Sequence, residues 1–333
     1  MASVDQLILH IGVPKTGSSL IQKSLRALRQ PLRDHGIAYI DRKAFLAMGD
    51  YRAWAAYDRS AYSKEKFSDE LAGAVEAARK KVARGGRTLL ISNESISGRL
   101  SPDYGDPFWP RAGESIAELV SVIKPERTRV IVYVRRQDRL LESLYMQRMH
   151  LGYQTRWEHF RDKVCRDDRV RYTQLLALVG AAPSVQSLRV RPFETIQAGA
   201  AAFTADFLDE LGLGELVYEL EPKTLATTNP SYTQPAWEAA LALNPLLSAP
   251  DQPNKVRKFL TDLFPPGEYP PAELLTDEER LAMLTRYRDE NEALFTRYLP
   301  EFPRDTYSTL EGTKLLRDVL TPITLPEDGR PKG

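Results

Sequence analysis

The chain contains one cysteine, Cys165, in 333 residues. An internal disulfide is therefore impossible, and the fold needs no oxidising compartment. Nothing around Cys165 suggests a nucleophile, so it reads as a structural or surface thiol. An excess of charge of one sign is also lacking: 46 basic and 45 acidic residues leave a formal net charge of +1. That balance argues against a general nucleic-acid binder, which carries a basic excess, while a local basic site is compatible with it. No stretch approaches the roughly 20 consecutive apolar residues of a membrane helix. The opening MASVDQLILHIG has neither a basic leader nor a long apolar segment, so the expectation is a soluble, cytoplasmic protein. There is no internal repeat, heptad run, low-complexity block, HExxH motif or Cys/His cluster at metal-ligand spacing. No metal is expected on that basis.

What is present is a core. Hydrophobic residues make up 42 % of the chain, enough for one large α/β domain or two small ones. The organising stretch is LILHIGVPKTGSSLIQKSL, from Leu7 to Leu25. Leu7 to Ile11 is a short apolar run of the kind buried on both faces of a parallel sheet. Gly12 breaks it, Gly17 follows five residues later, and Leu20, Ile21, Leu25 and Leu28 then keep helical spacing. Strand, glycine loop and helix form an anion cradle, because the N–H groups of the loop and of the first helical turn have no internal partners. A Walker A loop places lysine directly after its second glycine, followed by Ser or Thr. Here the lysine is missing from that place. Position 18 is Ser18, Ser19 keeps the hydroxyl, and the lysine stands earlier, at Lys15, beside Thr16. The cradle is kept while the triphosphate geometry is altered.

Further strands are predicted at His35–Ile40, Thr88–Ser92, Arg129–Val134 and Val185–Val190. Helices are expected around 71–82, Ser115–Ile123 (stopped by Pro125), after Asp138, Tyr172–Val179 and 195–211. That alternation implies a parallel sheet. Residues 41–67 lose periodicity but collect Phe45, Tyr51, Arg52, Trp54, Tyr57 and Tyr62. They read either as a packed excursion or as one wall of an acceptor cleft. The aromatics of 104–109, in the loop from Arg99 to Arg111, could close over the same end. Glu94 follows the strand TLLIS, where parallel sheets bind their ligands.

The most apolar strand, RVIVYV, runs into Arg135 and Arg136, and Ser143 lies eight positions after Arg135 on the next helix. Arginine offers a planar, permanently charged fork for phosphate oxygens, and a serine hydroxyl near a helix N-terminus adds a donor. Arg136 and Arg139 read as solvated surface residues.

The loop Lys15–Ser19 together with Arg135 and Ser143 resembles the sulfotransferases that use 3′-phosphoadenosine 5′-phosphosulfate (PAPS), in the form of their soluble bacterial-type members. Element order supports the resemblance over residues 5–211; Asn229-Pro230-Ser231 and the last long helix match more loosely. The resemblance implies that Lys15, Thr16, Gly17, Ser18 and Ser19 hold the 5′-phosphosulfate, that Arg135 and Ser143 hold the 3′-phosphate, and that Lys15 is catalytic. Glu94 falls where cytosolic members carry a histidine general base; glycan-modifying members use glutamate. His35 is the reserve base, and His10, within the first strand, is expected to be packed. The implied reaction is metal-free, in-line transfer of a sulfuryl group from PAPS to a hydroxyl or amine of a glycan, glycolipid or small alcohol, leaving PAP. A divergent P-loop nucleotide kinase or NTPase, and a non-catalytic protein on the same fold, are the alternatives.

The expected architecture is α/β, a P-loop-type parallel sheet flanked by helices with a helical C-terminal elaboration. The boundaries are 1–220 for the nucleotide-binding core, 221–320 for the helical part packed on the same domain, and 321–333 for a flexible tail. In the helical part Pro235 starts a helix to about Leu243, a short helix lies near Val256–Phe264, and Thr276 with Glu279 forms a capping box. That box opens one long helix through Leu284, Asn291 and Tyr298.

Overall fold

The computed structural model describes residues 4–56, 61–82, 86–98, 108–109, 111–165, 169–226 and 231–325. Tyr57, Gly85, most of the 99–111 loop, the Cys165 side chain, Asn229-Pro230 and residues 326–333 lie outside the described residues.

The first half alternates strand and helix: β1 (Val4–Gly12), α1 (Ser18–Ala27), α2 (Arg29–Asp34), β2 (Ile37–Asp41), α3 (Arg42–Leu46), α4 (Tyr51–Ala56), α5 (Lys64–Arg79), β3 (Thr88–Ser92), α6 (Ala112–Ile123) and β4 (Pro125–Val134). Then follow α7 (Gln137–His150), α8 (Trp157–Cys165), α9 (Tyr172–Gly180), β5 (Val185–Pro192) and α10 (Ala200–Asp209). The remainder is helical: α11 (Pro222–Leu225), α12 (Gln234–Leu243), α13 (Gln252–Leu263), α14 (Asp277–Arg286) and α15 (Arg288–Tyr298). Among the described residues the strands form one five-stranded sheet, parallel throughout, in the order β2-β3-β1-β4-β5.

Alternation along each strand divides the core in two. Leu7, Leu9 and Ile11 of β1 point to one face with Leu89, Ile91, Val130 and Val132. Ile8 points to the other, with Leu90, Ile131 and Tyr133. The second face is covered by Ile21 and Leu25 of α1 and Phe203 and Phe207 of α10. Period-2 side chains on a sheet covered on both faces leave no polar face, which is why the strands read as continuous apolar runs. The chain moves to one side of β1 for β2 and β3 and then to the other for β4 and β5. The crevice that ligands use in such sheets therefore opens beyond the carboxyl end of β1.

Several local expectations are corrected. Pro125 does not merely end α6; Lys124 ends it in the left-handed conformation (φ 51), and Pro125 opens β4, paired with Val4, a first-residue position that needs no donor. The 195–211 segment is a 3-10 turn, Phe193–Ala198, and then α10, separated by Gly199 at φ 107. The capping box at Thr276 is present, but the long helix after it is two helices, because Tyr287, buried in the core, departs from helical geometry between α14 and α15. Helix α8 had no counterpart in the sequence reading.

The aromatic excursion is packed. Phe45, Tyr51 and Trp54 are buried in the core, with Trp54 stacked on Phe67 at 4.9 Å between ring centroids. Phe108 and Trp109 are buried there as well. None of these five rings forms the acceptor wall that composition suggested; short helices α3 and α4 turn Phe45, Tyr51 and Trp54 inward. Arg136 is likewise no surface residue: it is 1 % exposed. Its guanidinium donates to both carboxylate oxygens of Asp138 at 2.8 and 2.9 Å and to the carbonyls of Thr309 and Leu310. Arg139, in contrast, is on the surface, paired with Glu142.

No helix among the described residues is long and apolar enough to cross a membrane.

Candidate functional site

The loop after β1 is built by its own polar groups. Thr16, fully buried, donates its hydroxyl to the Val13 carbonyl at 2.6 Å. Lys15 sits in the left-handed region at φ 69, and Gly17 follows at φ 81. Left-handed residues set beside an uncapped helix start turn successive N–H groups toward one point, an anion-binding concavity. No side chain caps α1, and its first turn carries no acidic residue, so the positive end of the helix dipole is uncompensated.

Gly17 is required twice over. Its φ favours glycine, and a Cβ there would lie 2.9 Å from the Phe203 ring and 3.2 Å from Phe193. Gly36 has a similar φ of 78 but nothing within 4 Å of its would-be Cβ. Gly36→Ala should cost the backbone share alone, about 1–2 kcal/mol, and Gly17→Ala about 1–3 kcal/mol more from the ring contact. Thermal unfolding of the two variants checks this; equal losses would remove the packing argument.

A cleft of about 350 Å³ opens at this point, lined by Lys15, Gly17, Ser18, Ser19, Glu94, Arg135 and Ser143, with Lys23 and Gln147 at its side. Seven of the eight residues predicted from sequence to bind or react line it. The exception is Thr16, whose side chain is committed to the loop. The two segments are stitched together: Arg135 donates Nη1–H to the carbonyl of Lys15 at 2.9 Å and lies 4.8 Å above the Phe193 ring. His35 is exposed at the end of α2, bonded to the Pro31 carbonyl, and is absent from the lining. His10 is packed as expected, 2.8 Å from the Ser92 hydroxyl, with its pKa pushed down to about 3 by burial.

Two buried polar atoms at the cleft have no partner: Ser18 Oγ and Arg135 Nε. Lys15 is held below the ordinary lysine range by burial and by the guanidiniums of Arg135 and Arg257. Arg135 is lowered by burial too, against the opposing pull of Glu194, Tyr172 and Asp138. Orphaned donors beside crowded cations are what an anion relieves, since it satisfies the donors and favours the charged forms.

Glu94 enters from the end of β3. Gly12 lets it approach: a Cβ at Gly12 would lie 3.1 Å from that of Glu94 and 2.9 Å from Ser18 Oγ. Its carboxylate accepts from Gln22 Nε2 at 2.7 Å and stands 3.4 Å from Arg42 Nε. Gln22 lies four residues after Ser18, so both side chains share the face of α1 turned to the cleft. Gln22 and Arg42 were not singled out from sequence. The helical spacing from Ser18 was the signal for the first; nothing local signals the second, which depends on the β2–β3 pairing.

The cleft also has an apolar wall, formed by Phe193, Ile196, Ala200 and Leu225. His150 ends α7 with Nε2 buried and unpartnered and packs edge-on against Tyr232 at 4.3 Å. Its pKa is pushed down to about 4, by burial first and then by Arg257 and Lys15.

No family model matches this chain, and no curated protein matches it.

Proposed function

We propose that this protein is a PAPS-dependent sulfotransferase whose donor site is the cleft between the Gly12–Ser19 loop and Arg135. The observation that carries the reading is convergence. Two anion-binding elements about 120 residues apart in sequence line one cleft and are bonded to each other. A nucleotide with phosphate at both ribose ends needs two such subsites. In this reading the sheet is a P-loop-type core over 1–220, and the helices of 221–320 are an elaboration of the same domain.

The residues present fit that nucleotide. The uncapped start of α1, with Ser18 and Ser19, would hold the 5′-phosphate, and the unpartnered Ser18 hydroxyl supplies a donor. Arg135 and Ser143 would hold the 3′-phosphate. Ile196, Ala200 and Leu225 suit the flat adenine ring. PAPS, when bound, supplies an activated sulfuryl group and is left as PAP. Lys15 would neutralise charge on the bridging and leaving oxygens, the role that dominates transfers with loose transition states. Glu94 would take the proton of the attacking hydroxyl or amine. The glutamate in the base position, rather than the aromatics, favours a glycan or glycolipid hydroxyl as acceptor.

Calorimetric titration with PAP, without metal, tests the reading. Tight binding is expected, weakened by about ten- to a hundredfold in Arg135→Ala through loss of charge-assisted hydrogen bonds. ATP binding that requires Mg²⁺, with no response to PAP, would instead identify a divergent P-loop nucleotide kinase or NTPase.

A further inference from the structure

The free edge of the sheet carries a second recess. β2 is an edge strand. Leu32 of α2 shares one core with Tyr39 of β2, and Val75 of α5 shares the other with Ala38 and Ile40. The two helices therefore cover opposite faces of β2. At its edge lies a recess of about 190 Å³, whose lining includes Arg29 and Arg33 of α2, Tyr39 and Asp41 of β2, alanines of α3 and α5, and Lys81 beyond α5. None of these residues lines the donor cleft. A water takes about 30 Å³ of liquid and pockets for drug-sized ligands begin at about 300 Å³, so this recess suits a small ion rather than a nucleotide.

The charge of the lining calls for an anion: three cations stand against one carboxylate. Arg29 is paired with Asp41 at 2.5 Å. Arg33 lies one turn after Arg29, on the same side of α2. The side chains of Arg33 and Lys81 make no hydrogen bond or ion pair among the described residues. Tyr39 is 8 % exposed, and its hydroxyl is buried without a partner. Burial, and then Asp41, raise its pKa, so the hydroxyl keeps its proton and serves as a donor. A buried hydroxyl without a partner is costly, and a bound oxyanion relieves it.

Asp41 decides which oxyanion. Its Oδ1 accepts the Ala44 N–H at 3.0 Å, and its Oδ2 accepts from Arg29. A carboxylate has about four acceptor sites, so two remain. Sulfate at neutral pH has no proton to offer them and meets only repulsion. Hydrogen phosphate carries an O–H, which a carboxylate accepts in a charge-assisted bond. We propose that the recess is a phosphate site: Arg29, Arg33 and Lys81 neutralise the ion, Tyr39 donates to it, and Asp41 accepts its O–H and thereby selects phosphate over sulfate.

The experiment titrates inorganic phosphate and inorganic sulfate, at neutral pH and constant ionic strength, into the Arg135→Ala protein, in which anion binding by the donor cleft is weakened. Phosphate is expected to bind about tenfold or more tightly than sulfate. Adding Arg33→Gln should weaken phosphate about tenfold, and adding Tyr39→Phe about three- to tenfold. Adding Asp41→Asn should bring the two ions within about threefold of each other, because asparagine keeps an acceptor for the Ala44 N–H but loses the carboxylate. Arg33 has no side-chain partner to lose, so Arg33→Gln should fold as its parent does and decides the matter even if Asp41→Asn does not fold. Phosphate binding unchanged by Arg33→Gln would place the ion in the donor cleft and overturn the site. Sulfate binding as tight as phosphate, or no phosphate binding at all, overturns it as well.

Discussion

Glu94→Gln is expected to lower turnover by ~10²–10⁴-fold while leaving PAP affinity unchanged, the range for loss of a positioned general base. The substitution is isosteric and keeps a hydrogen-bonding partner for Gln22, so the cleft should keep its shape. The competing role for Glu94 is structural: it opens a short 3-10 turn, Glu94–Ser97, and pairs with Arg42. Magnitude separates the two. Arg42 is 44 % exposed in that pair, and an ion pair so open to water is worth about 1 kcal/mol or less. Loss of such a pair cannot account for a thousandfold fall in rate. Steady-state turnover with a saturating acceptor, measured beside PAP titration, decides it. Near-normal turnover would remove Glu94 from the chemistry and leave it as a partner of Gln22 and Arg42.

The second large effect concerns folding. Asp138 is fully buried and accepts both Arg136 and Arg280, the latter at 2.6 Å. Asp138→Ala should destabilise the protein by about 3–5 kcal/mol, because it takes the buried carboxylate from Arg136, whose charge then keeps only the carbonyls of Thr309 and Leu310, and leaves Arg280 with Glu142 alone. Against a total stability of about 5–15 kcal/mol, that is a severe loss, read as a fall in the denaturant midpoint. Burial alone would raise the Asp138 pKa; the hydrogen bonds and charges of Arg136 and Arg280 overcome it and leave the carboxyl below its usual range. A depressed folded-state pKa means that the stabilisation is fully present above the unfolded value of about 3.9 and is lost as pH falls through the folded value. The wild type should therefore lose stability on acidification below about pH 4 more steeply than Asp138→Asn. Equal acid sensitivity in the two would show that the cluster does not hold the charge.

The cluster also bears on the site. Arg136 donates its backbone N–H to Glu194 at 2.8 Å, and Glu194 accepts from Tyr307 at 2.6 Å. Tyr172 bonds the carbonyl of Arg135 at 2.5 Å. The peptide joining Arg135 to Arg136 is thus held at both its carbonyl and its N–H, while the Arg135 fork itself is held by the Lys15 carbonyl and the Phe193 ring.

Much of the fold was legible. β3 runs Thr88–Ser92, as the apolar run TLLIS predicted, since a strand buried on both faces needs no partner to be recognised. The loop glycines, the Thr276 capping box and the start of α12 were legible for the same reason: each depends on neighbours within a few residues. The misjudged features depend on distant ones. Phe45, Tyr51 and Trp54 could have lined a cleft or a core, and only the packing of α3 and α4 on α5 and β2 chose the core.

Arg135 and Arg136 divide the two kinds of information most clearly. The sequence determined that two arginines end the central strand beside a helix start, and hence that a fixed positive charge stands at the ligand end of the sheet. The spacing from Arg135 to Ser143 pointed to Arg135 for the site, but nothing in the sequence said that Arg136 turns into the interior. Successive residues leaving a strand point in opposite directions, so one guanidinium turns to the Lys15 loop and the other into the interior. Asp138 is local, but Arg280, Thr309 and Leu310 arrive from more than a hundred residues away. Only the tertiary structure supplies enough partners to make burial of Arg136 tolerable, and that burial leaves Arg135 for the site.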